Sequence, residues 1–150
     1  MDLNIKNKNQ ILTQLTTLFC ETYSLYFKFQ VCHWHVTGPH FKELHIQFED
    51  NYTALATIID DLAERIVTLG GKTPMSLAAI QSSSTITQKE IKTAEKMVKE
   101  LVKDSLIVIE QARTIANISA KNNDEGTTDI ITPIISSLEK ATWMLESYLK

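Results

Sequence analysis

From about His40 to Leu69 the chain carries Leu44, Phe48, Leu55, Ile59, Leu62 and Ile66 on one face of a helix, and the run stops only at Gly70-Gly71. Glycine just past the last periodic residue is a helix C-terminus signal. A helix of this length spans roughly 45 Å and cannot fold back on itself. Three more segments share its period. Ile11, Leu15, Leu18, Thr22, Leu25 and Phe29 mark a first helix. Ile91, Ala94, Val98, Leu101, Ser105 and Ile109 mark a third, and Ile131, Ile134, Leu138, Ala141, Leu145 and Tyr148 a last.

The connections complete the outline. Thr73 to Thr87 is rich in serine and threonine, a long connection holding about one helical turn around Pro74–Ala78. Thr87-Gln-Lys-Glu90 reads as a capping box opening the third helix. Lys121 to Thr128 breaks that helix, and Pro133 falls in the first turns of the last, where a missing N–H is tolerated. Two helices, a long crossover and two more predict an all-α four-helix bundle with one non-simple connection. Residues 1–150 form one domain without internal repeats, and residues 1–8 a short N-terminal tail. Four glycines and three prolines are too few for an all-β domain with a turn every 8–12 residues.

Hydrophobic residues at 43% and charged ones at 22% exclude wholesale disorder. No apolar run approaches the ~18 residues of a membrane span, and the opening MDLNIKNKNQ lacks the apolar centre of a secretory signal. A soluble, cytoplasmic protein is expected. A net charge of −3 argues against duplex binding, which relies on Lys and Arg neutralising phosphates. Lys6 and Lys8 are offset by Asp2, and no basic stretch precedes Lys150. Cys20 and Cys32 share a helix about 18 Å apart, beyond disulfide reach, and read as buried reduced thiols.

All four histidines, His33, His35, His40 and His45, lie within HWHVTGPHFKELH. His33 falls on the inward face with Leu15, Leu18 and Phe29, whereas His35 points the other way, beside Lys28 and Ser24. His40 sits in the Gly38-Pro39 turn. Taken alone, an inward histidine is more often a hydrogen-bonded core residue than a ligand. On the second helix His45 and Glu49 are i and i+4, as are Asp60 and Glu64. All four occupy one strip with Tyr52, Ala56, Ala63 and Val67 between them. Such company suggests a covered strip; the plainer reading is a charged edge with Arg65 as counter-ion. Carboxylates ~4 Å apart repel by about 4 kcal/mol at an effective dielectric near 20, and a divalent cation relieves this. Imidazole mixed with carboxylate suits iron, zinc or manganese.

Glu49 and Asp60 are eleven residues apart, about 16 Å along one helix. Ligand bonds are ~2 Å long, so the two halves cannot hold one ion from a single chain. Either the clusters are unrelated, or two chains pack antiparallel so that His45 and Glu49 of one meet Asp60 and Glu64 of the other. A two-fold contact of this kind would create two equivalent sites.

HWHVTGPHFKELH, FEDNY and DDLAERIVTLGG, from His33 to Gly71, resemble the Dps family of mini-ferritins. The resemblance implies a ferritin-like four-helix bundle with a short extra helix in the crossover. It implies a ferroxidase centre of His33, His45 and Glu49 with Asp60 and Glu64 from a two-fold mate. Many members have Asp where this chain has Glu49, a change that keeps the ligand type. The family forms a twelve-subunit shell, oxidises ferrous iron preferably with hydrogen peroxide rather than oxygen, and stores ferric mineral. Trp34 matches a position that scavenges stray oxidising equivalents, with packing across the interface as its plainer role. Asp124, Glu125 and Asp129 resemble the lining of three-fold iron-entry pores, though acidic residues opening a helix are also favoured by its dipole. No Glu-x-x-His occurs, so the paired-motif di-iron site of ordinary ferritins is excluded. DNA compaction, the activity that named the family, is disfavoured by a formal charge of about −36 over twelve copies of −3 each. A metal-free helical interaction protein is the remaining alternative.

Overall fold

Apolar periodicity becomes five helices in the computed structural model, which describes residues 1 and 3–150. They are α1 (Lys8–His35), α2 (Phe41–Thr68), α3 (Leu77–Ser82), α4 (Ala94–Lys121) and α5 (Glu125–Tyr148), and no strand occurs among the described residues. The four long helices form the bundle: α1 packs along α2 and α4, α4 along α5, and α5 touches α2. Leu15, Leu18, Leu25, Phe29, Phe48, Leu55, Leu62, Ile66 and Leu101 close the core with essentially no exposure. On α2 it is Ile58 that is buried; Ile59, expected on the core face, is only half-buried. Among the described residues no helix is long and apolar enough to cross a membrane.

Helix α1 is buried on more than one face, which its sequence pattern does not announce. Lys28 and Ser24, expected on the outward side with His35, are buried, while His35 alone is exposed. The crossover lies over that side. The Glu21 carboxylate accepts from Ser84 Oγ (2.6 Å), Thr85 N (2.9 Å), Thr85 Oγ1 (2.8 Å) and Ile86 N (3.3 Å). Gln88 Nε2 donates to the Ser24 carbonyl at 2.8 Å, and Lys28 pairs with Asp104 of α4. Every buried charge on α1 thereby has a partner, the condition for keeping it out of water.

Those bonds hold residues 84–88 out of helical conformation and move the start of the third long helix. The Thr87–Glu90 box does not open it; α4 begins at Ala94 with Thr93 as N-cap, whose hydroxyl accepts from Lys96 N at 3.3 Å. The crossover helix is likewise later than Pro74–Ala78, capped by Ser76, whose Oγ accepts from Ala79 N at 3.1 Å. Pro133 is the ninth residue of α5, past the first turns in which it was expected, so it costs a helix bond to the Asp129 carbonyl. Burial of Ile131, Ile134 and Leu138 around it carries the helix through.

Residues 3–7 lie against the bundle. Leu3 and Ile5 pack on the core, Lys6 N donates to the Asn122 carbonyl at 2.9 Å, and Asn7 Nδ2 donates to Asn122 Oδ1 at 2.8 Å. Asp2, read from the sequence as an offset to the lysines, lies outside the described residues. Cys20 and Cys32 are free and buried, and burial pushes the Cys32 thiol up to about 12.

Candidate metal centre

Pro39 disfavours helix at the residue before it, and Gly38 turns the chain at φ +110°. Helix α1 therefore ends at His35 and leaves its last carbonyls without i+4 donors. One of them, the carbonyl of His33, accepts a hydrogen bond from Nδ1 of His45 at 2.9 Å. In return His33 Nδ1 donates to the His45 carbonyl at 2.7 Å. A carbonyl oxygen can only accept, so each Nδ1 carries the hydrogen, and in the neutral ring this leaves Nε2 as the metal-binding nitrogen. The rings stack with centroids 3.7 Å apart and planes 18° from parallel. This backbone clamp fixes tautomer and orientation as outer-shell partners of metal-ligating histidines do.

Glu49 stands one turn beyond His45 on α2. One potential ligand atom from each of His33, His45 and Glu49 falls within 4.8 Å of the others. An ion bonded at about 2 Å to each needs donors no more than about 4 Å apart, and Glu49, the exposed member, has the freedom to adjust. His33 is buried, His45 half-buried and Glu49 exposed, so the group opens outward rather than into the core. Two imidazole nitrogens and one carboxylate form a donor set suited to iron, zinc or manganese.

Asp60 and Glu64 do not join this group; they lie exposed further along α2. Along the strip Ala56 and Val67 are exposed and Tyr52 and Ala63 half-buried, so among the described residues the strip stays largely uncovered. Arg65, the alternative counter-ion, faces elsewhere: its guanidinium pairs with Asp124, and Nε donates to Thr127 Oγ1 at 2.8 Å. His35 is exposed, and His40 meets Tyr148 edge-on at 5.6 Å, so neither contributes to the cluster. Trp34 is 56% exposed.

The acidic trio at the start of α5 divides. Asp124 is buried as the N-cap, accepting from Thr127 N (3.0 Å) and Thr127 Oγ1 (2.6 Å) besides pairing with Arg65. Its carboxylate is committed to the bundle and not presented to solvent, so only Glu125 and Asp129, both exposed, could face a channel. A Cβ at Gly126 would lie 3.0 Å from Arg65 Nη2, so glycine leaves room for the guanidinium.

Sequence reasoning placed Tyr52 on the metal strip only as an apolar neighbour. Its ring meets His33 edge-on at 5.3 Å and 79°, and desolvation together with the Glu49 charge and Tyr26 holds its phenol above the ordinary range. Its position three residues after Glu49 was the available signal.

The ferritin-like domain family matches residues 12–150. The chain is 35% identical over 141 residues to DNA protection during starvation protein 2 of Bacillus anthracis, covering 93% of this chain and 97% of that protein. It is 37% identical over 128 residues to general stress protein 20U of Bacillus subtilis, covering 83% and 87%. Among solved structures, the Dps protein of Bacillus brevis superposes with a TM-score of 0.91 at 32% identity over the whole of both chains. Dps from Vibrio cholerae, described as one of the ferritin-like diiron-carboxylate proteins, does so with a TM-score of 0.92 at 28% identity, again over both whole chains. With the crossover helix and the His33–His45–Glu49 group in place, the chain belongs to the Dps family of ferritin-like proteins.

Proposed function

We propose that this protein is a ferroxidase and iron store that oxidises ferrous iron, preferentially with hydrogen peroxide, and holds the ferric product inside a twelve-subunit shell. The observation that carries the reading is the clamped histidine pair, which sits with Glu49 in a group open to the surface. Nitrogen and carboxylate donors accept ferrous iron, and the anionic oxygens favour the ferric state, which eases loss of the electron. Two ferrous ions side by side give one electron each to a peroxide, which with two protons becomes two waters.

Three donors leave an ion under-coordinated, and Asp60 and Glu64 are exposed carboxylates on the same uncovered strip. In the proposed assembly a second copy packs antiparallel along α2, so that its Asp60 and Glu64 complete the site. The isologous contact makes two such sites per pair. Glu125 and Asp129 are the proposed iron-entry residues.

Complementation between inactive variants tests the split. His45→Ala and Glu64→Ala should each abolish rapid ferric absorbance after peroxide addition to an anaerobic ferrous-loaded sample. Denatured together and refolded, they should recover activity at about a quarter of the sites, because half the pairs are mixed and one site in each is intact. No recovery from well-folded mixed shells would overturn the shared site. DNA protection in the names of the relatives reaches this chain as removal of iron and peroxide rather than as duplex binding. Leu3 and Ile5 pack on the core and the net charge is −3, both of which disfavour duplex binding.

A further inference from the structure

The crossover is pinned to α1 only as far as Gln88. Glu21 and Ser24 accept hydrogen bonds from residues 84–88, and among the described residues none ties residues 89–92 to α1. A trough opens where these anchors stop. Its larger part, about 670 Å³, lies between Phe27, Val31 and His35 of α1 on one side and Ile91 and Met97 on the other. Phe27 and Gln88 also line a smaller cavity of about 190 Å³, which continues the trough to Tyr23, Leu77 and Ile80. Tyr23 and His35 are twelve residues apart on α1, so the trough is about 18 Å long. Phe27 is 44% exposed, and Val31 and Ile91 are half-buried. An apolar strip is thus left open to solvent along α1.

One end of the trough is cationic. Helix α4 runs antiparallel to α1, with Gln111 bonded to Gln14 and Asp104 paired with Lys28, so its N-terminus lies toward the His35 end. There Lys89, Lys92, Lys96 and Lys99 line a further cavity of about 450 Å³, which shares Lys89, Glu90, Ile91 and Lys92 with the trough. Three lysines of the region are committed: Lys28 on the trough floor to Asp104, Lys89 to Glu100 at 3.0 Å, and Lys99 to Glu95. Lys92 and Lys96 are exposed and pair with no carboxylate among the described residues, and Glu90 is the one lining acid without a lysine. Two unpaired ammonium groups against one unpaired carboxylate make this end positive in a chain of net charge −3.

We propose that the trough binds a free fatty acid, its alkyl chain laid along Phe27 and Val31 against Ile91 and Met97 and its carboxylate held by Lys92 and Lys96. A cavity of several hundred Å³, apolar along its walls with a few polar groups at one place, has the form of a small-molecule site. Burial of methylenes supplies the affinity, and the ammonium groups fix the direction of the chain and select an acid over an alcohol. None of these residues lies on α2, so the antiparallel contact proposed above leaves the trough open, and the site stands or falls independently of the ferroxidase reading.

Titration calorimetry of decanoate into the full-length assembled protein tests the site. Binding should saturate at one decanoate per chain, and octanoate, two methylenes shorter, should bind roughly tenfold more weakly. Decanol should bind severalfold more weakly than decanoate. Phe27→Asp, at an exposed position, puts a carboxylate against the chain and should abolish binding; Lys92→Gln with Lys96→Gln should weaken it severalfold. Circular dichroism melting shows that each variant is folded. Absence of saturable decanoate binding overturns the site, as it would if another copy of the chain filled the trough. Equal affinity for decanoate and decanol, or undiminished binding by folded Phe27→Asp, overturns it as well. Co-flotation with phosphatidylglycerol vesicles in the absence of decanoate binding would assign the cationic end to a membrane surface and overturn the fatty-acid site.

Discussion

His33 and His45 orient each other through backbone rather than through side chains: each Nδ1–H binds the other residue's carbonyl, at 2.7 and 2.9 Å. Replacing either ring by alanine leaves the carbonyl that holds the remaining ring. Loss of function should therefore be local. We expect His33→Ala and His45→Ala each to lower the ferrous oxidation rate by at least about tenfold, the lower end of what disturbing even an outer-shell partner costs. Unfolding temperatures should stay close to wild type. Stopped-flow absorbance of ferric product against calorimetry separates the two effects, and an undiminished rate in both variants would remove the histidines from the site.

Lys28 and Asp104 are a buried ion pair joining α1 to α4. Removing one partner strands the other charge out of water, so Asp104→Ala should destabilise the protein by about 3–5 kcal/mol. Replacing both, as Lys28→Met with Asp104→Leu, should be close to neutral or stabilising, since the desolvation penalty disappears with the charges. Urea unfolding of the two variants checks the contrast. A mild effect from Asp104→Ala would mean that water reaches the pair.

Asp124 and Asp129 should separate cleanly although they are five residues apart. Asp124→Ala removes an N-cap worth about 1 kcal/mol and also leaves Arg65 without its carboxylate, so thermal stability should fall. Asp129→Asn, at an exposed position, should leave stability unchanged and slow iron uptake by the proposed shell, with the proposed ferroxidase ligands untouched. Uptake measured as mineral growth under limiting ferrous iron distinguishes them. Unchanged uptake in Asp129→Asn would remove the pore role.

Burial raises the Cys32 thiol to about 12 from an ordinary value of 9.0. The folded chain then holds a proton that the unfolded chain releases between those values, so the Cys32 contribution to stability is complete below pH 9 and declines as pH rises toward 12. Cys32→Ala should flatten the alkaline fall in unfolding free energy over that window. For the same reason native Cys32 should resist iodoacetamide at pH 8 and react fully once denatured, because the thiolate is the nucleophile. Mass spectrometry of alkylated protein reads the result, and rapid native labelling of Cys32 would show that the thiol is accessible.

Much of the architecture was legible before any coordinates. Apolar residues every three or four positions marked the four long helices, and Gly70-Gly71 marked the end of the second, because these signals act within a few residues of chain. The His45–Glu49 pairing was legible for the same reason, being one helical turn. The start of α4 was not. Thr87 and Thr93 both offer capping hydroxyls, and the choice fell to Glu21 and Ser24, more than sixty residues away, whose bonds hold residues 84–88. Burial of Lys28 was hidden likewise, since Asp104 lies on another helix.

Sequence by itself determined which stretches form the long helices, the apolar face that most of them bury, and that one helix carries two candidate donor pairs too far apart for one ion. Tertiary structure alone decided that His33 and His45 stack and orient each other, that Arg65 serves Asp124 rather than the exposed carboxylates, and that Tyr52 meets His33 edge-on. The division has a physical cause. Helical periodicity and capping are properties of neighbouring residues, whereas a hydrogen bond from a ring to a carbonyl twelve residues away exists only once two helices have packed at one distance and one register.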